Sequence, residues 1–353
     1  MESETPHPEG RLVSAPSPQK PCAALLVSLV VPTHNRCASL RMVLEGLEHQ
    51  TTSPEQFEVL VICDGCTDDS VAMCHASQVS YALHVIDLMP NQGPAAARNR
   101  GVDEASAPLI LFIDDDVVPE PTLIAEHLRL HTQDERAVVI GPLLAPPDLQ
   151  LNPWTSWEEA MLDKQYLAMS AHEWEPTPRQ FYTGNASVRR AHIQQAGGFD
   201  PTFRRAEDVE LAFRFHDLGL RFYFNPEAKG WHYVQRSLRS WLNISTAYGV
   251  ADVAMYRDGR PVMLFCMADD FHKRQVSLQR LAKVCVGKVW LVSLTAGLLL
   301  VIARLASWMK LRRGAYAAYS AIFNLRYWQS VSSQLGGAPA FWKLIWQRQG
   351  TIS

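Results

Sequence analysis

No G-x-G-x-x-G follows the first apolar run of this chain, and no G-x-x-x-x-G-K-[ST] occurs anywhere in it. Those absences argue against a dinucleotide oxidoreductase and against P-loop phosphoryl transfer. Cys63 and Cys66 form a C-x-x-C with Cys74 and His75 behind it, but no second C-x-x-C accompanies them. The pair brackets Asp64-Gly65 at a strand end, so ordinary thiols are favoured over zinc or redox chemistry. The seven cysteines are an odd number, and no apolar secretory stretch precedes them. The first 21 residues are polar and carry Pro6, Pro8, Pro16, Pro18 and Pro21. A reduced, cytosolic protein with a disordered arm over residues 1–21 is expected. There is no internal repeat and no recognised nucleic-acid motif, so nucleic acid is not an expected partner.

Acidic residues are scarce toward the C-terminus. Residues 257–353 hold 14 basic and 3 acidic side chains, against 19 basic and 33 acidic in the rest. Within that part, Val289 to Ala303 is a 15-residue uncharged stretch, and five of the ten tryptophans (Trp290, Trp308, Trp328, Trp342 and Trp346) lie nearby. A spanning helix needs about 20 apolar residues. The stretch is therefore expected as an interfacial or re-entrant helix on an anionic lipid surface, with a buried helix packed on the main domain as the alternative.

The chain length fits one large domain, residues 22–256, plus a basic, aromatic-rich helical region, 257–353. From Leu25 short β-branched runs alternate with helical stretches, as a parallel sheet with crossover helices requires. Strands are expected at Leu26–Val31, Phe57–Ile62, Ala82–Asp87 and Leu109–Ile113. Helices are expected through Leu40, Val43, Leu44 and Leu47, over Ala95 to Ala105, and over Glu207 to Leu218. Phe222 and Phe224 alternate as a short strand. Trp and Pro scattered from Pro142 to Pro178 suggest loops and an acceptor-facing surface. The fold class is α/β, a Rossmann-like, mainly parallel sheet.

Ligands of open α/β sheets bind beyond the carboxyl ends of the strands. Those ends carry Thr33, His34, Asn35 and Arg36; Asp64, Gly65, Thr67, Asp68 and Asp69; Asn91, Gln92 and Gly93; and Asp114-Asp115-Asp116. Any one group alone is most simply a solvated turn. Four at one sheet edge point to a site. Three consecutive carboxylates repel one another, and a divalent cation relieves that. In extended chain Asp114 and Asp116 would face one way and Asp115 the other. Mg²⁺ or Mn²⁺ takes one or two protein carboxylates and completes its shell with water and phosphate oxygens.

The runs Val31-Pro32-Thr33-His34-Asn35-Arg36, Asp64-Gly65-Cys66-Thr67-Asp68, Gly93 to Gly101 (GPAAARNRG) and Asp114 to Asp116 resemble the inverting family 2 glycosyltransferases of GT-A fold. Thr183-Gly184-Asn185-Ala186, Gly197-Gly198-Phe199-Asp200, Glu207-Asp208 and Trp231-His232 continue the likeness to about residue 235. The resemblance implies a hexosyltransferase that uses a nucleotide-diphosphate sugar, UDP-linked first, with Mn²⁺ or Mg²⁺. It implies that Pro32, Thr33, Asn35, Arg36, Asp64, Arg98, Asp114 and Asp115 bind the nucleotide and diphosphate. Asp116 would be the metal ligand with His232 as a second, a His ligand favouring Mn²⁺. Gly184, Asn185 and Glu207 would face the acceptor, and Asp208 would be the catalytic base. By themselves, Glu207 and Asp208 could simply complement a helix dipole. Cys66 stands where the family has serine, which puts a contact there in doubt.

Processive relatives carry Q-x-x-R-W after the base, whereas Gln235, Arg239 and Trp241 fall out of that register, the arginine by one residue and the tryptophan by two. Single-sugar transfer is therefore expected, to a glycan or lipid-linked acceptor, as in cell-envelope or glycolipid synthesis. The protein would be peripheral or monotopic at the cytoplasmic face of a membrane. The rivals are a nucleotidyltransferase on a similar sheet, which would not need Gly184, Asn185 and Asp208, and a nucleotide-sugar-binding pseudoenzyme, which would have lost the metal or base carboxylates.

Overall fold

The structure, a computed structural model, describes residues 24–234 and 236–346. The expected disordered arm and Gln235 lie outside them. The strands are β1 (Val27–Thr33), β2 (Phe57–Asp64), β3 (Ala82–Leu88), β4 (Leu109–Ile113), β5 (Val117–Pro119), β6 (Ala137–Ile140), β7 (Leu143–Leu144), β8 (Asn185–Arg189), β9 (Arg221–Phe224) and β10 (Gly230–His232). Around them lie α1 (Cys37–Leu47), α2 (Ser70–Ala76), α3 (Pro94–Glu104), α4 (Leu123–Gln133), α5 (Pro153–Ser170), α6 (Arg190–Gln195) and α7 (Glu207–Asp217). Then come α8 (Leu238–Arg257), α9 (Val262–His272), α10 (Val276–Cys285), α11 (Val289–Trp308), α12 (Arg312–Gln334) and α13 (Ala338–Trp346).

Among the described residues the main sheet has seven strands in the order β3-β2-β1-β4-β8-β6-β9, beside a three-stranded sheet β5-β10-β7. β3, β2, β1 and β4 are parallel, as the β-branched runs predict. Thr33 pairs with Cys63, so the first two strands stop together and deliver their polar ends to one edge. Alternation sorts β1 between two cores. Val27, Leu29 and Val31 meet Leu40, Val43, Leu44 and Leu47 of α1 on one face. Val30 meets Ala97 and Val102 of α3 on the other, in the cluster that holds Leu211 and Phe215 of α7. Each large side chain so buried contributes about 1.5–3 kcal/mol. Gly101 lets α3 approach closely, since a Cβ there would stand 2.4 Å from Cγ1 of Val30.

The seven-stranded sheet is mainly parallel, as expected; among the described residues β8 alone runs antiparallel in it, between β4 and β6. The second half departs from the sequence reading in one place. The expected loops between Pro142 and Pro178 contain instead the 18-residue helix α5. It begins at Asn152-Pro153, with Pro at the first turn where its missing N–H costs nothing, and buries Thr155, Trp157, Tyr166 and Met169.

The C-terminal helices form their own core. α8 and α12 bury Trp241, Trp328, Tyr319 and Leu325, and Val209 and Phe213 of α7 enter the same cluster as residues of α8, α9 and α12. The helical layer thus opens at Leu238 and rests on α7.

Candidate active site

At the end of β4 the chain leaves the extended conformation. The Val117 N–H donates to the Asp114 carbonyl at 3.1 Å, closing a turn around Asp115 and Asp116. The alternation expected for Asp114 and Asp116 therefore does not hold, and the three carboxylates find different partners. Thr33 Oγ1 donates to Asp115 Oδ2 at 2.7 Å. The Arg36 guanidinium spans both Asp115, at 3.4 Å, and Asp116. Asp114 pairs with Arg98 at 2.8 Å. Burial pushes the Asp115 carboxyl up to about 7, against the pull of Arg36 and Thr33. Burial acts the same way on Asp116, but His232 and Arg36 more than offset it and lower that group to about 2.

His232 reaches this place through strand pairing. β10 runs antiparallel to β5 with His232 opposite Val117, and the Tyr233 N–H donates to the Asp116 carbonyl at 2.8 Å. Nε2 of His232 lies 3.5 Å from Oδ1 of Asp116. The carboxylate suits Mn²⁺ or Mg²⁺, and the imidazole beside it favours Mn²⁺. Among the described residues no three His, Cys, Asp or Glu side chains converge as a ready-made cage. The two donors fit an ion that draws its other ligands from water and phosphate.

Arg98, from α3, is buried and joins the strand edge to α7. Its Nη2 meets Asp114 Oδ1 and its Nη1 meets Glu207 Oε1, both at 2.8 Å. Asp208 comes next, at the first turn of α7, after Ala206 in the left-handed region at φ 58°. A non-glycine residue there costs about 1–2 kcal/mol. Asp208 Oδ1 accepts from the Val209 N–H at 2.8 Å, and Oδ2 accepts nothing from the described residues. Burial, then the Glu207 charge, pushes the Asp208 carboxyl up to about 7, against the pull of Arg98.

Other expected site residues brace the loops. Both oxygens of Asp64 already accept backbone N–H groups, from Gln92 at 2.7 Å and Gly93 at 2.8 Å. Asn35, at φ 56°, accepts from the Thr67 and Asp68 N–H groups and ties the first two strand ends together. Pro32 lies on β1, paired with Ile62. The Cys66 thiol donates to the Thr33 carbonyl. Gly184 packs on Asp114, where a Cβ would stand 3.1 Å from Oδ2. Asn185 is 0% exposed, and its amide hydrogens go to the Pro142 and Ala228 carbonyls. Its Oδ1 meets His127 at 2.9 Å. The structure gives Asn185 a bracing position with no exposed surface for an acceptor.

Residues the sequence reading missed come from α5 and the segments beside α7. Glu158 faces Arg236 at 3.7 Å, and burial raises its carboxyl against the charges of Arg236, Arg205 and His232. Arg205 lies over the Tyr248 ring at 5.3 Å. Asn152-Pro153, a helix-start signal, was the one local clue to α5.

Residues 28–197 match the family model described as glycosyl transferase family 2. The chain carries a family 2 glycosyltransferase domain. A validoxylamine A glucosyltransferase of Streptomyces hygroscopicus subsp. limoneus is 32% identical over 61% of this chain and 53% of its own. A pre-mycofactocin glycosyltransferase of Mycobacterium tuberculosis is 28% identical over 63% of this chain and 46% of its own. The chain thus spans about half the length of these curated relatives. A solved mannosyltransferase of Pyrobaculum calidifontis, in complex with GDP-Man and Mn²⁺, aligns with TM-score 0.54 at 15% identity, over 94% of this chain and 92% of that one. The glycosyltransferase domain therefore shares the GT-A fold.

Proposed function

We propose that this protein is a metal-assisted glycosyltransferase that moves one sugar, with inversion, from a nucleotide-diphosphate donor to an acceptor hydroxyl. UDP-sugars are the first donors to test. The observation that carries the reading is the junction at the sheet edge, where the Asp116–His232 pair and the Arg98 bridge to Asp114 and Glu207 bring nucleotide-side and acceptor-side elements together. The expected pseudoenzyme signature is missing, since the metal-side and base carboxylates are all in the sequence.

Pro32, Thr33, Asn35, Arg36 and Asp64 form the nucleotide end. Arg98 and Asp114 flank the diphosphate, while Gly184 and Glu207 border the acceptor. Asp116 and His232 would hold Mn²⁺ or Mg²⁺, which when bound neutralises charge on the departing diphosphate. The Pyrobaculum structure, in complex with GDP-Man and Mn²⁺, supports a divalent metal and a nucleotide sugar in general. Asp208 takes the proton from the acceptor hydroxyl as its oxygen bonds to the anomeric carbon and the bond to the phosphate oxygen breaks. The electron pair leaves with the diphosphate, and attack from the opposite face inverts the centre. The acceptor is a glycan or a lipid-linked hydroxyl, met by a protein seated peripherally on the cytoplasmic face of a membrane.

The test is binding and slow hydrolysis of a panel of nucleotide sugars with and without Mn²⁺, beside Asp116→Asn. One sugar nucleotide bound only with metal, and lost in the variant, is the expected result. A donor bound without any hydrolysis would favour the nucleotide-sugar-binding pseudoenzyme, and a panel in which none binds would overturn the nucleotide-sugar reading itself.

A further inference from the structure

We infer that the exposed face of α11 docks the protein flat on an anionic phospholipid surface. This deepens the membrane half of the proposed function and does not depend on the sugar chemistry. Trp290, Leu294, Leu298, Val301, Leu305 and Trp308 are each more than half exposed, Trp308 at 81%. At about 100° per residue they fall within an arc of about 80°. Ile302 widens this stripe, and Met309 and Leu311 extend it past the helix end. Soluble chains rarely leave so large a contiguous apolar patch in water.

Two further observations choose the occupant. From Phe271 to Ser353 the sequence has 12 basic and no acidic side chains. Lys288, Arg304, Lys310, Arg312 and Arg313, all exposed, frame α11 at its start, within its last turns and beyond its end. An apolar stripe with tryptophan at both ends and a purely basic frame matches an anionic headgroup layer. A second copy of the chain would bring two such basic frames together, and like charges oppose that.

The packing sets the orientation. α11 has the length and mean hydropathy (2.1) of a membrane span, with 22% of its apolar window buried. Yet Val292, Ala296, Ala303 and Ala306 are buried from its first turns to its last, and the last three share a cluster with Ala315, Ala318, Tyr319 and Ile322 of α12. α12 carries Arg312, Arg313 and Arg326, and Arg326 donates to the Leu242 carbonyl of α8 at 3.0 Å. A crossing would strip α11 from α12 or drag those charges into hydrocarbon. Lying flat keeps α12 in place and immerses the stripe.

The full chain should co-sediment with vesicles of phosphatidylcholine and phosphatidylglycerol but not of phosphatidylcholine alone. Binding should weaken about tenfold or more in high salt, because exposed charge pairs are screened. Leu294→Asp with Leu298→Asp should abolish binding while nucleotide-sugar binding persists. Should that pair not fold, Trp308→Ala, at the most exposed stripe position, should weaken vesicle binding at unchanged thermal stability. Equal, salt-independent binding to both vesicles that resists alkaline extraction would overturn the flat orientation. A self-associating chain that ignores vesicles and becomes monomeric in the stripe variant would overturn the lipid surface. Vesicle binding without any donor bound would sink only the sugar chemistry and leave the docking surface standing.

Discussion

Nη1 of Arg98 lies 2.8 Å from Oε1 of Glu207, two buried side chains assigned by sequence to opposite sides of the site. The contact pins α3 to the first turn of α7, next to Asp208. The other nitrogen of the same guanidinium holds Asp114, so one cation fixes the strand edge and the base-bearing turn relative to each other. Lysine cannot reproduce that fork, since its ammonium is a single point charge.

Arg98→Ala would leave the Glu207 carboxylate buried without its cation. Breaking a buried pair in this way costs about 3–5 kcal/mol. Urea unfolding of Arg98→Ala beside wild type should reveal a loss of that size, with Arg98→Lys between the two. A loss below about 1 kcal/mol, the range of surface pairs, would mean that the bridge is solvated in solution.

Asp208→Asn keeps the shape of the side chain and removes the base. Turnover should fall by about 10² to 10⁴-fold, the range associated with a lost general base, while donor affinity stays within about twofold. Titrating the donor by calorimetry alongside initial rates separates the two. Near-normal turnover would return Asp208 to a purely helix-capping position.

The same group predicts a pH dependence with a definite sign. Its folded-state pKa, about 7, stands above the ordinary carboxylate value. The base must be ionised to act, so kcat/KM should rise with pH through about 7. For stability the order is reversed. A raised carboxyl contributes stability that is fully present below its unfolded value of about 3.9 and lost as pH rises through about 7. Asp208→Asn should therefore gain Tm relative to wild type at pH 8 and lose that advantage at pH 4, as thermal melts at the two values would reveal.

Much of this site was legible because its residues lie where strands end. Val27–Thr33 and Phe57–Asp64 are mostly apolar runs, interrupted by Ser28 and Glu58, and the residues at the carboxyl end of such runs in a parallel sheet must reach the ligand edge. Other features depend on tertiary partners. Asn185–Arg189 reads NASVR, too short and too polar to announce a strand, and it is one because Leu109–Ile113 pairs with it. The turn that Val117 closes on Asp114 cannot be seen in three identical aspartates, so alternation misassigned their directions. The meeting of His232 with Asp116 results from a three-residue register between β10 and β5; local sequence contains no sign of it.

Arg36 offers a sharper test of the metal assignment. Its guanidinium contacts Asp116, the same carboxylate that would hold a cation, and half of its side chain is exposed. Without donor, Arg36→Gln should bind Mn²⁺ about tenfold more tightly, because a competing positive charge is gone; tenfold corresponds to about 1.4 kcal/mol. With a nucleotide sugar present the variant should bind the donor more weakly, since Arg36 belongs to the nucleotide end. Titrations of Mn²⁺ monitored by electron paramagnetic resonance, with and without nucleotide, give both numbers. Unchanged metal affinity in the absence of donor would remove Asp116 from the metal assignment.

Asn185 separates bracing from binding at the acceptor side. Its amide satisfies the Pro142 and Ala228 carbonyls, and His127 joins it to Ser187, which His131 also meets. Burial lowers His127 to about 4 and His131 to about 3, so this network stays neutral at physiological pH. Asn185→Ala would leave the Ala228 carbonyl without its donor at a cost of about 1–3 kcal/mol, while the Pro142 carbonyl keeps the Gly230 N–H. Asn185→Asp removes both donated hydrogen bonds, turns an acceptor oxygen toward the same carbonyls and adds a buried charge beside neutral histidines, which is worse. If Asn185 braces the turn at Gly184, both variants should lose stability in chemical denaturation while KM for the acceptor changes no more than KM for the donor. A selective rise in acceptor KM at unchanged stability would instead mean that the side chain leaves its buried position and touches the acceptor directly.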